Sequence, residues 1–125
     1  ARNALIAYNI DLDTADLAVA GAIARQVRAS GGGLPALKAR GVCLLRTNTT
    51  QVTMNLVDYK TTGLFAATEA VRAAAAEKNV RVLGGEIVGL VPQDALLDAA
   101  ASYLGLHDFS PDKVLERALS GVTRE

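Results

Sequence analysis

Apolar and polar residues alternate between two spacings along this chain, and the spacing changes where the turn residues cluster. Ala4 to Ile10 is a short apolar run bounded by polar residues and suits a buried strand. Asp11-Leu12-Asp13-Thr14 then offers turn and capping oxygens ahead of a helix whose apolar face is Leu17, Ala20, Ala24 and Val27. Three glycines and a proline in Ser30-Gly31-Gly32-Gly33-Leu34-Pro35 cannot continue that helix and predict a loop. Val42 to Arg46 and Gln51 to Val57 read as two strands, with Thr47-Asn48-Thr49-Thr50 as the hairpin turn between them. Leu64, Thr68, Val71 and Ala75 recur at helical spacing within Thr62 to Lys78, where an alanine run also favours helix. Val80 to Leu83 is the fourth predicted strand. The order β-α-β-β-α-β predicts an α+β fold, a ferredoxin-like sandwich. Two further helices follow: one from Val91-Pro92 to a stop at Gly105, and one from about 110 to 120, opened by Ser110-Pro111-Asp112 and closed by Gly121.

Alternation within the strands predicts where chemistry can sit. Val52, Met54 and Leu56 point to the helices, while Gln51, Thr53 and Asn55 share the other face with Leu5, Ala7 and Asn9. One helical layer covers one side of a four-stranded sheet, so the face with Asn9, Gln51, Thr53 and Asn55 stays open to solvent, a ligand or a partner. Taking the first and third strands as parallel central neighbours further places Asn9 near Asn55.

The 125 residues are 50% hydrophobic, enough for one domain with its own core. Thirteen Lys and Arg balance thirteen Asp and Glu, and aromatics make up 4%, which argues against a nucleic-acid binder. No apolar run approaches the ~18 residues of a membrane span. Ala1-Arg2-Asn3 leads straight into a strand and does not read as a signal peptide. A single cysteine, Cys43, fits a reducing, cytoplasmic setting. The missing initiator Met suggests a piece of a longer protein. Arg25, Arg28, Lys38, Arg40 and Arg46 form a basic stretch that either faces an anionic ligand or is a solvated helix end and loop.

Other candidates are individually weak. His107, the only histidine, lies between two predicted helices, where a surface loop residue is expected. Cys43 reads as a small buried hydrophobe. The glycines at 31–33 and 84–89 match neither phosphate-binding pattern. Asp11, Asp13 and Asp16 read as helix N-terminal acids, not as metal ligands.

Three stretches resemble glutamate formimidoyltransferase, specifically the C-terminal half of its transferase domain. They are 1–10 (ARNALIAYNI), 51–59 (QVTMNLVDY) and 84–92 (GGEIVGLVP) continuing through Ala95-Leu96-Leu97-Asp98-Ala99-Ala100. The Ser-Gly-Gly-Gly-Leu-Pro loop fits as well, and the likeness covers about 1–104 of what reads as a single domain. Gly85 stands where a serine is expected. The resemblance implies two α/β halves whose sheets face each other across a tunnel for tetrahydrofolate, the co-substrate. It implies transfer of the formimino group of N-formimidoyl-glutamate to tetrahydrofolate in histidine breakdown, with the catalytic histidine in the N-terminal half. This chain then supplies no catalytic residue, needs that half as a partner, and contributes Arg2, Asn9, Gln51, Thr53, Asn55 and Glu86 to substrate and folate binding. Glu86 could instead cap local backbone. The competing expectation is a free-standing ferredoxin-like binding module that forms a homodimer through its open sheet face.

Overall fold

The computed structural model describes residues 4–123. Its elements run β1 (Ile6–Leu12), α1 (Leu17–Val27), β2 (Leu37–Leu44), β3 (Thr49–Leu56), α2 (Leu64–Glu77), β4 (Val82–Val88), α3 (Gln93–Leu104) and α4 (Leu115–Thr123), with 3₁₀ turns at Ala29–Gly31 and Pro111–Lys113. This is the expected βαββαβ order with two appended helices, an α+β fold consistent with the ferredoxin-like arrangement. The strands form one sheet in the order β2-β3-β1-β4, and every neighbouring pair is antiparallel.

That geometry corrects the expected parallel pairing of the first and third strands. The crossover through α1 returns the chain in its original direction, so β1 and β2 are the parallel pair. The tight turn after β2 then reverses the chain, and β3, inserted between them, runs against both. Asn9 therefore stands opposite Thr53, and Asn55 stands opposite Ala7.

Several boundaries also move. β1 runs on through Asp11 and Leu12, and Leu12 is fully buried. β2 begins at Leu37, ahead of the expected Val42, and β4 continues to Val88. Two of the three aspartates read as helix acids have other places: Asp11 lies in β1, and Asp13 pairs with Arg81 at 2.9 Å. Only Asp16 caps α1, its Oδ1 accepting the Ala18 N–H at 2.9 Å. Replacing that cap, Asp16→Ala, should lower the unfolding free energy by about 1 kcal/mol in a denaturant titration. α3 ends as expected on Gly105, whose φ of 72° is left-handed, whereas α4 passes through Gly121 to Thr123. Cys43 is exposed rather than buried, because it lies near the hairpin end of the edge strand β2.

The core lies between one sheet face and two helices. Ile6, Ile10, Leu12, Leu37, Val52, Met54 and Leu56 line the sheet side. Ala20, Ile23, Ala24 and Val27 of α1 and Leu64, Ala67, Val71, Ala74 and Ala75 of α2 close over them. Leu17, expected on the apolar face of the first helix, is 47% exposed, and Ile23 takes a buried place instead. The abundance of alanine brings the helix backbones close to the sheet. α3 adds only Ala95 to this core.

Candidate functional site

The strand register assembles the face turned away from α1 and α2 into three rows that cross the sheet. From β2 through β3 and β1 to β4 they read Lys38, Asn55, Ala7, Val88; then Arg40, Thr53, Asn9, Glu86; then Val42, Gln51, Asp11, Gly84. Alternation along each strand keeps these side chains on one side. Asn9, Gln51, Thr53, Asn55 and Glu86 are thus brought together on a single face, whereas Arg2 lies outside the described residues. Sequence reading missed Asp11 on this face because it ended the strand at Ile10. It saw Lys38 and Arg40 only as part of a basic run, because it began β2 too late. The polar alternation Asn9-Ile10-Asp11-Leu12 was the available signal.

Hydrogen bonds knit one side of the face. Gln51 Nε2 donates to Asp11 Oδ1 at 2.7 Å and to Glu86 Oε1 at 3.1 Å. Asn9 Nδ2 donates to the same Glu86 oxygen at 3.3 Å. Gln51 is 6% exposed, so this amide is fixed by two carboxylates in a nearly dry place where its bonds are worth more than in water. Glu86 accordingly holds side chains from β1 and β3, not the local backbone.

The face is graded in charge. Lys38 and Arg40 stand on the β2 side and Asp11 and Glu86 on the β1 and β4 side, with neutral Asn55, Thr53 and Asn9 between. From β2 to β4 the face spans three strand spacings, about 14 Å. None of the four charged groups belongs to an ion pair among the described residues. On the basic side Lys38, Ala39, Arg40, Thr53 and Asn55 line a shallow recess of ≈ 280 Å³.

A second concavity lies on the helix side. Tyr8, Leu64, Phe65, Thr68, Ile87, Leu96 and Tyr103 are among the residues that wall a mainly apolar cavity of ≈ 630 Å³. Thr68 Oγ1 donates to Leu64 O at 2.8 Å, which leaves it to accept the Tyr8 hydroxyl at 2.6 Å. Gly85 makes room for that tyrosine: a Cβ there would lie 3.2 Å from its ring. His107 is exposed in the loop after α3. Among the described residues no group of three or more His, Cys, Asp or Glu could hold a metal ion, and no helix is long and apolar enough to cross a membrane.

A sequence model of the formiminotransferase domain matches residues 7–115. The chain belongs to the formiminotransferase domain family. The matched span contains all three rows of the face and ends at the first residue of α4. The chain is 42% identical over 119 residues to a glutamate formimidoyltransferase of Thermoplasma acidophilum, which covers 95% of this chain and 39% of the relative. A glutamate formimidoyltransferase of Streptococcus pyogenes serotype M1 is 40% identical over 122 residues, 97% of this chain and 41% of that protein. The formimidoyltransferase-cyclodeaminase of Rattus norvegicus is 41% identical over 109 residues, 82% of this chain and 20% of its own length. This formiminotransferase-domain chain therefore spans about two fifths of the length of the two formimidoyltransferases.

Proposed function

We propose that this chain is the C-terminal half of a folate-dependent formimidoyltransferase, which moves the formimino group of N-formimidoyl-glutamate to tetrahydrofolate in histidine breakdown. The observation that carries the reading is the open, charge-graded sheet face, combined with family membership over most of the chain. The donor is a dicarboxylate with an amidine at one end, and a protonated amidine is a planar cation that a carboxylate can grip in two places. Glu86, held by Asn9 and Gln51 through Oε1, would take that cation or the amino edge of the pterin. Lys38 and Arg40 would take carboxylates at the other side of the face. Asn9, Thr53 and Asn55 would offer the neutral donors and acceptors between them. Tetrahydrofolate, as co-substrate, supplies the nucleophilic nitrogen, and the donor and acceptor groups of this face match its pterin and its glutamate.

No catalytic role falls to this chain on this reading. Its one histidine, His107, stands exposed on the loop after α3, and the family resemblance implies an acid-base histidine in the N-terminal half. Until that half covers it, the face would pair with a second copy, with Leu5 and Val88 exposed beside the polar rows. A reducing cytoplasmic setting completes the proposal, since Cys43 is exposed and no second cysteine stands among the 125 residues.

The test is a transfer assay with N-formimidoyl-glutamate and tetrahydrofolate, run on this chain alone and with a separately expressed N-terminal half. Product should form in the mixture and not with the chain alone. Turnover by the chain alone would overturn the split-site reading. Silence in both, with a dimer in sedimentation and no folate binding, would favour the binding-module reading.

A further inference from the structure

The basic stretch is not a string of separate surface charges. Arg25 and Arg28, on and just after α1, meet Arg40 of β2 around a recess of ≈ 510 Å³ that is also lined by Leu17, Ala18, Gly21, Ala24 and Gly41. Lys38 lies outside this recess, and Arg46 stands in the hairpin turn. Among the described residues none of the three guanidinium groups faces a carboxylate partner. Arg28 uses one donor, Nη1, on the Ala39 carbonyl at 3.4 Å, while its Nε is buried without any hydrogen-bond partner. A buried charged donor left without an acceptor is costly, and such a group calls for an explanation.

Two glycines shape the recess. Gly21 lies inside α1, where glycine weakens a helix, and the position of its missing Cβ is 3.3 Å from Arg25 Nη1. Gly41 lets β2 approach so closely that a Cβ on it would lie 2.7 Å from the Gly21 nitrogen. The helix and the edge strand are thereby drawn together with the three arginines around the opening. Net charge does not explain the grouping, because the whole chain is neutral at pH 7.

We infer that the α1–β2 edge is a second anion-binding site, in which Arg25, Arg28 and Arg40 hold one oxyanion, the carboxylate or phosphate group of a ligand. It is separate from the Asp11 and Glu86 side of the sheet face and touches the basic side only through Arg40. It does not depend on the formimidoyltransferase reading: a chain without transferase activity would still bind the anion. Guanidinium groups suit both sources because each presents parallel N–H donors to paired oxygens.

The experiment is an NMR titration of this chain at constant ionic strength, once with inorganic phosphate and once with glutarate, following the arginine Nε–Hε signals. Saturation by either probe, with shifts concentrated on Arg25, Arg28 and Arg40, is the expected result, and the tighter probe names the source. Arg25→Gln should weaken that binding roughly tenfold, the loss of one charge-assisted contact. Arg81→Gln removes the same charge elsewhere and should leave binding unchanged. Shifts that never saturate, that spread equally to Arg46 and Arg72, or that survive Arg25→Gln would overturn the site. Arg25 is exposed, so its substitution does not put the fold at risk.

Discussion

Gly41→Ala should lower the unfolding free energy by about 3 kcal/mol, the upper range for forcing a methyl group into a packed interior. The added Cβ would stand 2.7 Å from the Gly21 nitrogen, 2.8 Å from the Ala20 carbonyl carbon and 3.0 Å from the Ala20 Cβ. Two of those three atoms are backbone, so no side-chain rotation relieves the clash. Either α1 lifts from β2, opening the core around Ile23 and Leu37, or the edge strand bends outward. At a few degrees per kcal/mol for a domain of this size, the melting temperature should fall by roughly 10 °C. Gly84→Ala is the matched control. It is also a strand glycine, but nothing lies within 4 Å of its Cβ position, and the change should stay within about 0.5 kcal/mol. Equal melting temperatures for the two variants would show that α1 does not press on β2 as described.

On the proposed split-site function, Glu86→Leu should leave the fold nearly intact while removing about two orders of magnitude in kcat/KM, measured with an N-terminal half present. The side chain is exposed on β4 and packs in no core, so the direct cost to stability should be under about 1 kcal/mol. Its chemical losses are larger. The Asn9 and Gln51 amides lose their shared acceptor, and Gln51 keeps only Asp11. The face also loses the carboxylate assigned to the amidine or the pterin edge. Two charge-assisted contacts are worth about 3 kcal/mol together, which corresponds to roughly 100-fold. Glu86→Gln keeps the shape and loses the charge, so it should fall between Leu and the parent chain. Full activity in Glu86→Leu, measured as transfer with both halves present, would remove Glu86 from the proposed site.

Legibility differed sharply between elements. α3 was readable because its signals are local: Pro92 at its N-cap and Gly105 in the left-handed region at its end. α2 was readable from a stripe that does face the core, with Leu64, Val71 and Ala75 buried as spaced. β2 was misplaced because Lys38 and Arg40 interrupt its apolar pattern. On an edge strand with one exposed face, charged residues are tolerated and the pattern loses contrast. Cys43 was read as buried on composition, and the same edge position exposes it. The fourth strand is expected to end at Leu83, just ahead of Gly84 and Gly85, but β4 continues to Val88. Within the sheet Gly85 instead leaves space for the Tyr8 ring.

The candidate site was legible as a list and not as an arrangement. Alternation alone put Asn9, Gln51, Thr53 and Asn55 on one face, and the family resemblance added Glu86. The partners differed from the expected ones because register depends on strand direction. Antiparallel pairing sets Asn9 beside Thr53 and Glu86, and brings in Asp11 through Gln51.

The sequence by itself determined the order of elements, the side of each central strand that is buried, and membership in the formiminotransferase family. These follow from periods of two and 3.6 residues and from motifs read along a few consecutive positions. Only the tertiary structure decided which side chains meet. The contacts joining Asn9 to Glu86, Gln51 to Asp11 and Gln51 to Glu86 link positions 77, 40 and 35 residues apart. The meeting of Arg25 and Arg28 with Arg40 depends in turn on α1 settling against Gly41. Such neighbours are fixed by the closure of the whole sheet under its helices, and no local pattern in the chain encodes that distance.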